Sequence, residues 1–249
     1  MIFKFLQKKI VLDCFTSRSY AIEYAPINYA IKNIPDWWKS LPSSYRDGHQ
    51  PKLTMKSCVG MVDYYVRSVA ILLWCDLSII VNADKSYSWN FSDNTTKAQI
   101  HPMDTQATNF LSNYGHMKIL SPWLFRSEKN VDWVWSHPSY NYSNSNNVVS
   151  LPGISNFYHQ HSTNINMMIH LNQEKSFLIP YGEPLALLTP MSDRKVEIVR
   201  HLVSEQEYFN LYQKGSVITF VDKYKNMLKS KDQFSSCPYH NHIEEYRKK

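Results

Sequence analysis

Short apolar runs, separated by prolines and polar turn residues, recur along most of the chain. Residues 71–81 are almost continuously apolar and predict one strand that is buried on both faces. After turn residues at 82–85, the segment 87–92 alternates ring and polar side chains, which is typical of a hairpin strand with one buried face. The pattern therefore favours a mainly β fold.

The same patterns predict further strands at residues 10–15, 21–27, 117–120, 131–135, 165–171, 177–179, 185–188 and 196–203. Residues 60–69 are expected to form a single helical turn. The segment 34–42 is bracketed by prolines, which excludes a long helix because proline lacks the amide donor and restricts its neighbour. Its paired Trp37 and Trp38 are expected to pin this segment onto the core.

Helical spacing of apolar residues appears only near the C-terminus. Ser204 followed by Glu207 is a capping box, in which the hydroxyl accepts from a helical amide and the carboxylate reaches back to the cap. We therefore predict a single-domain sandwich or barrel in which residues 1–203 form a β-rich core. Residues 204–249 are expected to form a helical segment and tail packed on the same domain.

Composition agrees with this prediction. The 249 residues suffice for one sizeable core, and the aromatic share of 14% suits pleated strands.

The net charge of +6 comes from dispersed basic residues, which argues against a nucleic-acid footprint. No apolar stretch is long enough to span a membrane and the first residues do not read as a secretory signal, so a soluble domain is expected. The four cysteines have no paired spacing and are expected to be reduced.

Signatures of common nucleotide-binding and hydrolase sites are missing from the sequence. There is no P-loop, no dinucleotide glycine fingerprint and no Gly-x-Ser-x-Gly elbow. His101 and Asp104 could form an acid/base pair, and residues 237–242 bring one cysteine and two histidines together. A solvated tail is the plainer interpretation of residues 237–242, because chain ends are often loosely held.

The most specific match to a metal motif is a glycine followed, after five residues, by His159-x-His161. This spacing resembles the first half of the cupin metal motif, in which two imidazoles project from one face of a strand and bind Fe, Mn or Zn. The match is incomplete because no carboxylate follows, and His170 and His201 are distant candidates for a third histidine ligand. The alternative is that both histidines lie on an exposed strand or turn.

A second likeness concerns the same glycine. Gly153, Asn156 and Tyr158, with a later Tyr181-Gly182, resemble the order of motifs in the β-clip fold of dUTPases and dCTP deaminases. Asn156 stands where that family has its water-activating aspartate, so an active nucleotide hydrolase is not expected. With these two likenesses, the expected sandwich or barrel is of a jelly-roll, cupin-like or β-clip-like type.

A set of short segments, taken in order, resembles an uncharacterised family of marine tailed phages, especially cyanophages, with distant bacterial relatives. These segments are residues 34–42, 54–58, 70–76, 101–106, 121–125, 153–158, and 181–186 with Pro190. The resemblance implies no known activity. It favours a non-enzymatic, virion-associated or binding β-domain with phage or host proteins as partners, located in the virion or the host cytoplasm. The alternative is a cupin-like metal-dependent oxygenase or isomerase that uses the His159/His161 pair.

Overall fold

Residues 8–101, 113–141 and 147–215 are described by a computed structural model, in which strands predominate over helices. The strands are β1 (Ile10–Thr16), β2 (Asn28–Tyr29), β3 (Ser44–Asp47), β4 (Gln50–Leu53), β5 (Val69–Leu72), β6 (Leu77–Val81), β7 (Tyr87–Phe91), β8 (Ala98–His101), β9 (Tyr114–Ile119), β10 (Leu124–Arg126), β11 (Trp133–Ser136), β12 (Val148–Ser150), β13 (Gly153–Ser155), β14 (Ile165–His170), β15 (Lys175–Ile179), β16 (Pro184–Pro190) and β17 (Val196–Leu202). The helices are α1 (Ser19–Tyr24), α2 (Asp36–Ser40), α3 (Val59–Arg67) and α4 (Glu205–Gly215), with 3₁₀ turns at Ala30–Asn33 and Met55–Ser57.

The described strands form four larger sheets and one hairpin. Sheet A has the order β10-β1-β17, and sheet B the order β13-β11-β16-β5-β2. Sheet C has the order β12-β14-β9-β8, and sheet D the order β15-β6-β7, while β3 and β4 pair with each other. Side chains from all four sheets enter one apolar core, so the predicted mainly β, sandwich-type fold is confirmed.

Sheet A joins the beginning of the described chain to its end. β1 pairs in parallel with β17 along its whole length, from Ile10 opposite Val196 to Thr16 opposite Leu202. Its residues alternate between buried and half-buried positions, as expected of a strand with one face on the core. The strand predictions at residues 10–15 and 196–203 are therefore confirmed.

The prediction of one continuous strand over residues 71–81 is wrong. The run is divided between β5 in sheet B and β6 in sheet D, with residues 73–76 between them. The partner strands change sheets at the same point, since β5 pairs with β16 and β6 pairs with β15. We call this place the corner, defined by residues 73–76 and 180–183. A bend of this kind lets consecutive strands of one segment belong to two packed sheets.

Hydrogen bonds continue through the corner. Leu73 N–H donates to Glu183 O at 2.8 Å, and Gly182 N–H donates to Leu73 O at 2.7 Å. The Asp76 carboxylate accepts from Tyr181 N–H at 2.8 Å. Gly182 has φ of +81°, a left-handed conformation that side chains disfavour. Asp76 and Gly182 therefore account for a bend where the apolar pattern predicts a straight strand.

A β-bulge follows the corner on β16. The register passes from Pro184 opposite Leu72 to Ala186 opposite Ile71, so Leu185 is the extra residue. The Leu185 carbonyl accepts a hydrogen bond from the Ser150 hydroxyl on β12. The bulge thus ties sheet B to sheet C.

A second tie links sheets D and C. The Tyr87 hydroxyl on β7 donates to the carbonyl of His116 on β9 at 2.9 Å. A Cβ atom on Gly115 would lie 2.4 Å from the Tyr87 ring. Gly115 therefore leaves the space in which the tyrosine crosses from one sheet to the other.

Two other local predictions need correction. Residues 21–27 are not a strand, because α1 (Ser19–Tyr24) occupies the first part and buries Ala21 completely. The expected helical turn before β5 is the longer helix α3, with Met61 and Tyr65 on its buried face. Short apolar segments of this kind fit helical spacing as well as alternation, so periodicity alone does not decide between a helix and a strand.

The proline-bracketed segment behaves as expected. It contains only the five-residue helix α2, and Trp38 is buried against the core. The indole of Trp37 donates to Tyr140 O at 2.9 Å. Both tryptophans therefore pin the segment.

The capping box at the start of α4 is confirmed. Glu207 N–H donates to the Ser204 hydroxyl at 3.3 Å, and Ser204 N–H donates back to the Glu207 carboxylate at 2.9 Å. The rest of the expected helical segment, residues 216–249, lies outside the described residues. Within the described ranges, none of the helices is long and apolar enough to cross a membrane.

Two glycine substitutions, one at the corner and one in helix α3, should have opposite effects on stability. Gly182→Ala should lower the free energy of unfolding by about 1–2 kcal/mol, because alanine resists the left-handed conformation. Gly60→Ala, in helix α3 with open space around the added methyl, should raise it by up to about 1 kcal/mol. Urea denaturation of the two variants checks this, and a neutral Gly182→Ala would contradict the strain at the corner.

Candidate ligand-binding groove

The two histidines of the cupin-like motif do not share the face of a strand. The strand β13 ends at Ser155, and His159 lies at the end of a turn over residues 157–159. His161 comes next in an irregular segment and is buried. The expected strand geometry is therefore wrong.

His161 has an identifiable structural contact. Its Nδ1 lies 3.3 Å from the carbonyl oxygen of Leu211 on α4, so this nitrogen carries the proton and donates. The His161 carbonyl accepts from Phe125 N–H at 2.7 Å, which joins the segment to β10. His161 thus connects helix α4 to the sheets.

The two distant histidines have partners of their own. His170 packs against Tyr114, with ring centroids 4.5 Å apart. His201 Nε2 lies 2.8 Å from the Asp13 carboxylate in sheet A. Within residues 8–101, 113–141 and 147–215, no three His, Cys, Asp or Glu side chains come together as a possible metal site. A metal held by His159 and His161 stays a prediction.

Asn156 and Phe157 set the path of this segment. The Asn156 amide donates to Lys129 O and to the Asp132 carboxylate, each at 2.9 Å, and its oxygen accepts from Tyr158 N–H at 3.1 Å. Phe157 is fully buried. Asn156 therefore organises a turn, and the buried ring next to it anchors the turn to the core.

A groove of about 330 Å³ opens beside this turn, between sheets B and C. One wall is residues 150–155, which pass from β12 in sheet C to β13 in sheet B. The other wall is residues 160–166, which lead into β14. We call this the polar groove. Its lining residues are Lys118, Trp135, Ser150, Leu151, Pro152, Gly153, Ile154, Ser155, Gln160, Ser162, Asn164, Ile165 and Asn166.

The polar lining includes three side-chain amides beside three serine hydroxyls. Asn164 uses its oxygen to accept from Ser121 N–H at 3.2 Å, and Asn166 Oδ1 lies 3.3 Å from His116 Nε2. Neither NH₂ group has a hydrogen-bond acceptor among the described residues. The Gln160 side chain likewise has no partner within the described part of the chain. Each amide therefore keeps hydrogen-bonding capacity for a bound molecule.

An indole ring completes the wall. Trp135 on β11 lies directly opposite Gly153 on β13, and its Nε1–H donates to the Ser155 hydroxyl at 2.9 Å. A Cβ atom on Gly153 would come within 4.0 Å of the indole, an ordinary contact distance. Gly153 has no side chain, so it leaves uncovered the part of the Trp135 indole that a larger residue at this position would contact.

The charge of the polar groove is low. Lys118 supplies one cation, and the described lining residues include no carboxylate. Lys118 lies opposite Asn166 in the β9–β14 pair, so both side chains point to the same face. The groove offers many neutral donors and acceptors with little net charge.

Gly153 belongs to both motif likenesses, but none of the lining residues of this groove is predicted from the sequence to bind a ligand. Residues 162–166 lack the carboxylate that the metal motif requires, and no binding role is predicted for their amides. The alternation of Asn164 with Asn166 is the signal that could have found the groove, since alternate residues share a face. The candidates Asp104 and residues 237–242 lie outside the described residues.

A scan against protein-family models gives no match for this chain, and a search of curated protein sequences gives none either. The resemblance to a marine phage family therefore stays a prediction.

The structural and metal interpretations of His161 predict different results. With EDTA present, His161→Ala should lower the free energy of unfolding by about 1 kcal/mol or more, because the bond to Leu211 is lost. His159→Ala, at a half-buried turn position, should cost less. Thermal and urea unfolding, with and without added Zn²⁺, distinguish the two. Stabilisation by Zn²⁺ that both substitutions abolish would instead establish the metal pair.

Proposed function

We propose that this chain is a non-enzymatic binding domain of a tailed phage, virion-associated or active in the infected cell, and that its polar groove binds a neutral saccharide. One observation carries the proposal. The amides of Gln160, Asn164 and Asn166 line one groove with hydrogen-bonding capacity that no described residue uses.

The chemistry of these groups suits sugar hydroxyls. A hydroxyl both donates and accepts, and a side-chain amide offers an acceptor and two donor hydrogens within one planar group. Adjacent hydroxyls of a sugar ring can therefore be recognised by neighbouring amides. Trp135 adds an apolar surface against which the C–H face of a sugar can pack.

The charge distribution favours a neutral ligand. Lys118 is one cation among uncharged amides, hydroxyls and backbone groups. A phosphate or carboxylate ligand would be expected to meet several cations or a bidentate arginine. The groove supplies neither among its described lining residues.

The size and construction of the groove agree with this assignment. Its volume of about 330 Å³ falls at the lower end of the usual range for ligand sites, about 300–1,000 Å³. Its walls are fixed by strand pairing, by the Ser150–Leu185 bond and by the Asn156 turn. A wall that is already ordered costs less conformational entropy when a ligand binds.

The position of the Asp13–His201 pair supports a binding role rather than a catalytic one. The Asp13–His201 pair is of the kind that can act as a general acid and base, and it lies in sheet A. The strands of sheet A contribute no described lining residue to the groove. The ring of Phe15 stacks on His201 with centroids 4.6 Å apart. This pair therefore does not face the amides of the groove.

Binding to an oligosaccharide array tests the proposal. We expect the protein to bind neutral oligosaccharides. Gly153→Val should abolish binding, because valine suits a strand and covers Trp135. Asn166→Ala should weaken binding about five- to tenfold, the equivalent of one hydrogen bond of roughly 1 kcal/mol. Lys118→Gln should change it little.

Asn90→Ala is the matched control, since Asn90 is an exposed amide on sheet D, away from the groove. Loss of binding in Lys118→Gln would show that the ligand is anionic. Binding that survives Gly153→Val, or no binding to any saccharide, would overturn the assignment. Mass spectrometry of purified particles separately tests the virion-associated role, which the absence of the chain would exclude.

A further inference from the structure

A second cleft, of about 560 Å³, lies on another part of the molecule. It is bounded by β2 and the 3₁₀ turn after it, by the end of α3, and by the turn between β16 and β17. Its lining residues are Tyr29, Ile31, Val66, Arg67, Asp193, Arg194, Lys195 and Val196. It shares no described lining residue with the polar groove.

Hydrogen bonds fix the walls of this cleft. The Tyr29 hydroxyl donates to Val196 O at 2.9 Å, which joins β2 to β17. Arg67 at the end of α3 donates to the carbonyl of Ser192 in the β16–β17 turn. Ile10 N–H donates to Lys195 O at 2.8 Å. The cleft is therefore a preformed feature bounded by elements that are held together.

The lining has two parts that differ in chemistry. The apolar part, which we call the floor, is Ile31, Val66 and Val196, and Val66 is 51% exposed although its side chain is aliphatic. The charged part, which we call the rim, has three cations, Arg67, Arg194 and Lys195, and one carboxylate, Asp193. An apolar floor beside a cationic rim is complementary to a molecule with an apolar body and an anionic end.

The rim cations are not equivalent. Arg194 donates to the Glu128 carboxylate at 2.6 Å, so its charge is already compensated. Arg67 retains its charge while it donates to a neutral carbonyl. Lys195 is exposed and has no ion-pair partner among the described residues. Lys195 and Arg67, which both line the cleft, are therefore the cations available to an anion.

From this arrangement we infer that the cleft binds an amphipathic organic anion, a carboxylate on an aliphatic chain. The chain packs against Ile31, Val66 and Val196, and the carboxylate lies beside Lys195 and Arg67. Burying the exposed valine contributes favourably, since apolar surface removed from water stabilises the complex. This inference is independent of the saccharide assignment, because the two sites have separate linings.

Calorimetry and NMR with decanoate test the inference. Decyltrimethylammonium serves as the comparison probe, because it has an alkyl chain of similar length and the opposite charge. Both are used below their micelle concentrations. Decanoate should bind and should shift the amide signals of Val66, Asp193 and Lys195, while the cationic probe should bind at least about fivefold more weakly. Added salt should weaken decanoate binding, because the rim is exposed to solvent.

Two variants and a control complete the experiment. Lys195→Gln should weaken decanoate binding about three- to tenfold, and Val66→Asp should abolish it by placing a carboxylate on the apolar floor. Lys32→Gln is the control, because Lys32 adjoins Ile31 in sequence but does not line the cleft. Val66 is exposed, so the folded state should survive, and circular dichroism checks this. Equal binding of the two probes, unchanged binding in Lys195→Gln, or retained binding in Val66→Asp would each overturn the inference.

Discussion

The structure depends on a corner at which two paired strands change sheets together. One apolar run supplies β5 and β6, and its partner run supplies β15 and β16, so both pairs must bend at one place. Leu73 donates to the Glu183 carbonyl and accepts from Gly182 N–H on the paired segment. The Asp76 carboxylate accepts from Tyr181 N–H. Backbone pairing therefore continues where the strands leave one sheet for the other. An unpaired buried amide there would cost about 1–3 kcal/mol.

The polar groove results from the same construction. The bend is followed by the bulge at Leu185, whose carbonyl is then free to accept from Ser150. That contact holds β12 beside sheet B, and the chain crosses within two residues to β13. The crossing forms one wall of the polar groove, and the turn organised by Asn156 positions the other. Strand pairing and the turn therefore fix the backbone positions from which the side-chain amides reach the groove.

Local structure can be predicted from the sequence where one interaction dominates. The capping box at Ser204, the strand from Ile10 and the alternating hairpin strand at Tyr87 are such cases. The corner escapes prediction because apolar periodicity does not report a change of sheet, although Asp76 within the run is a visible sign. The polar groove escapes it because the alternating asparagines do not reveal the other lining segment, residues 150–155, which only the folded backbone brings beside them. The histidine pair is misplaced because a glycine and two histidines at a given spacing do not determine whether the chain is extended.

Native-state amide hydrogen exchange tests most directly whether the corner holds the sheets together. The amides of Leu73 and Gly182 should exchange only through global unfolding, with the same opening free energy as buried amides of β14 such as that of Met167. Opening of the corner amides at a clearly lower free energy than Met167, with the sheets still intact, would contradict the account. The fold and the polar groove would then be maintained without the corner.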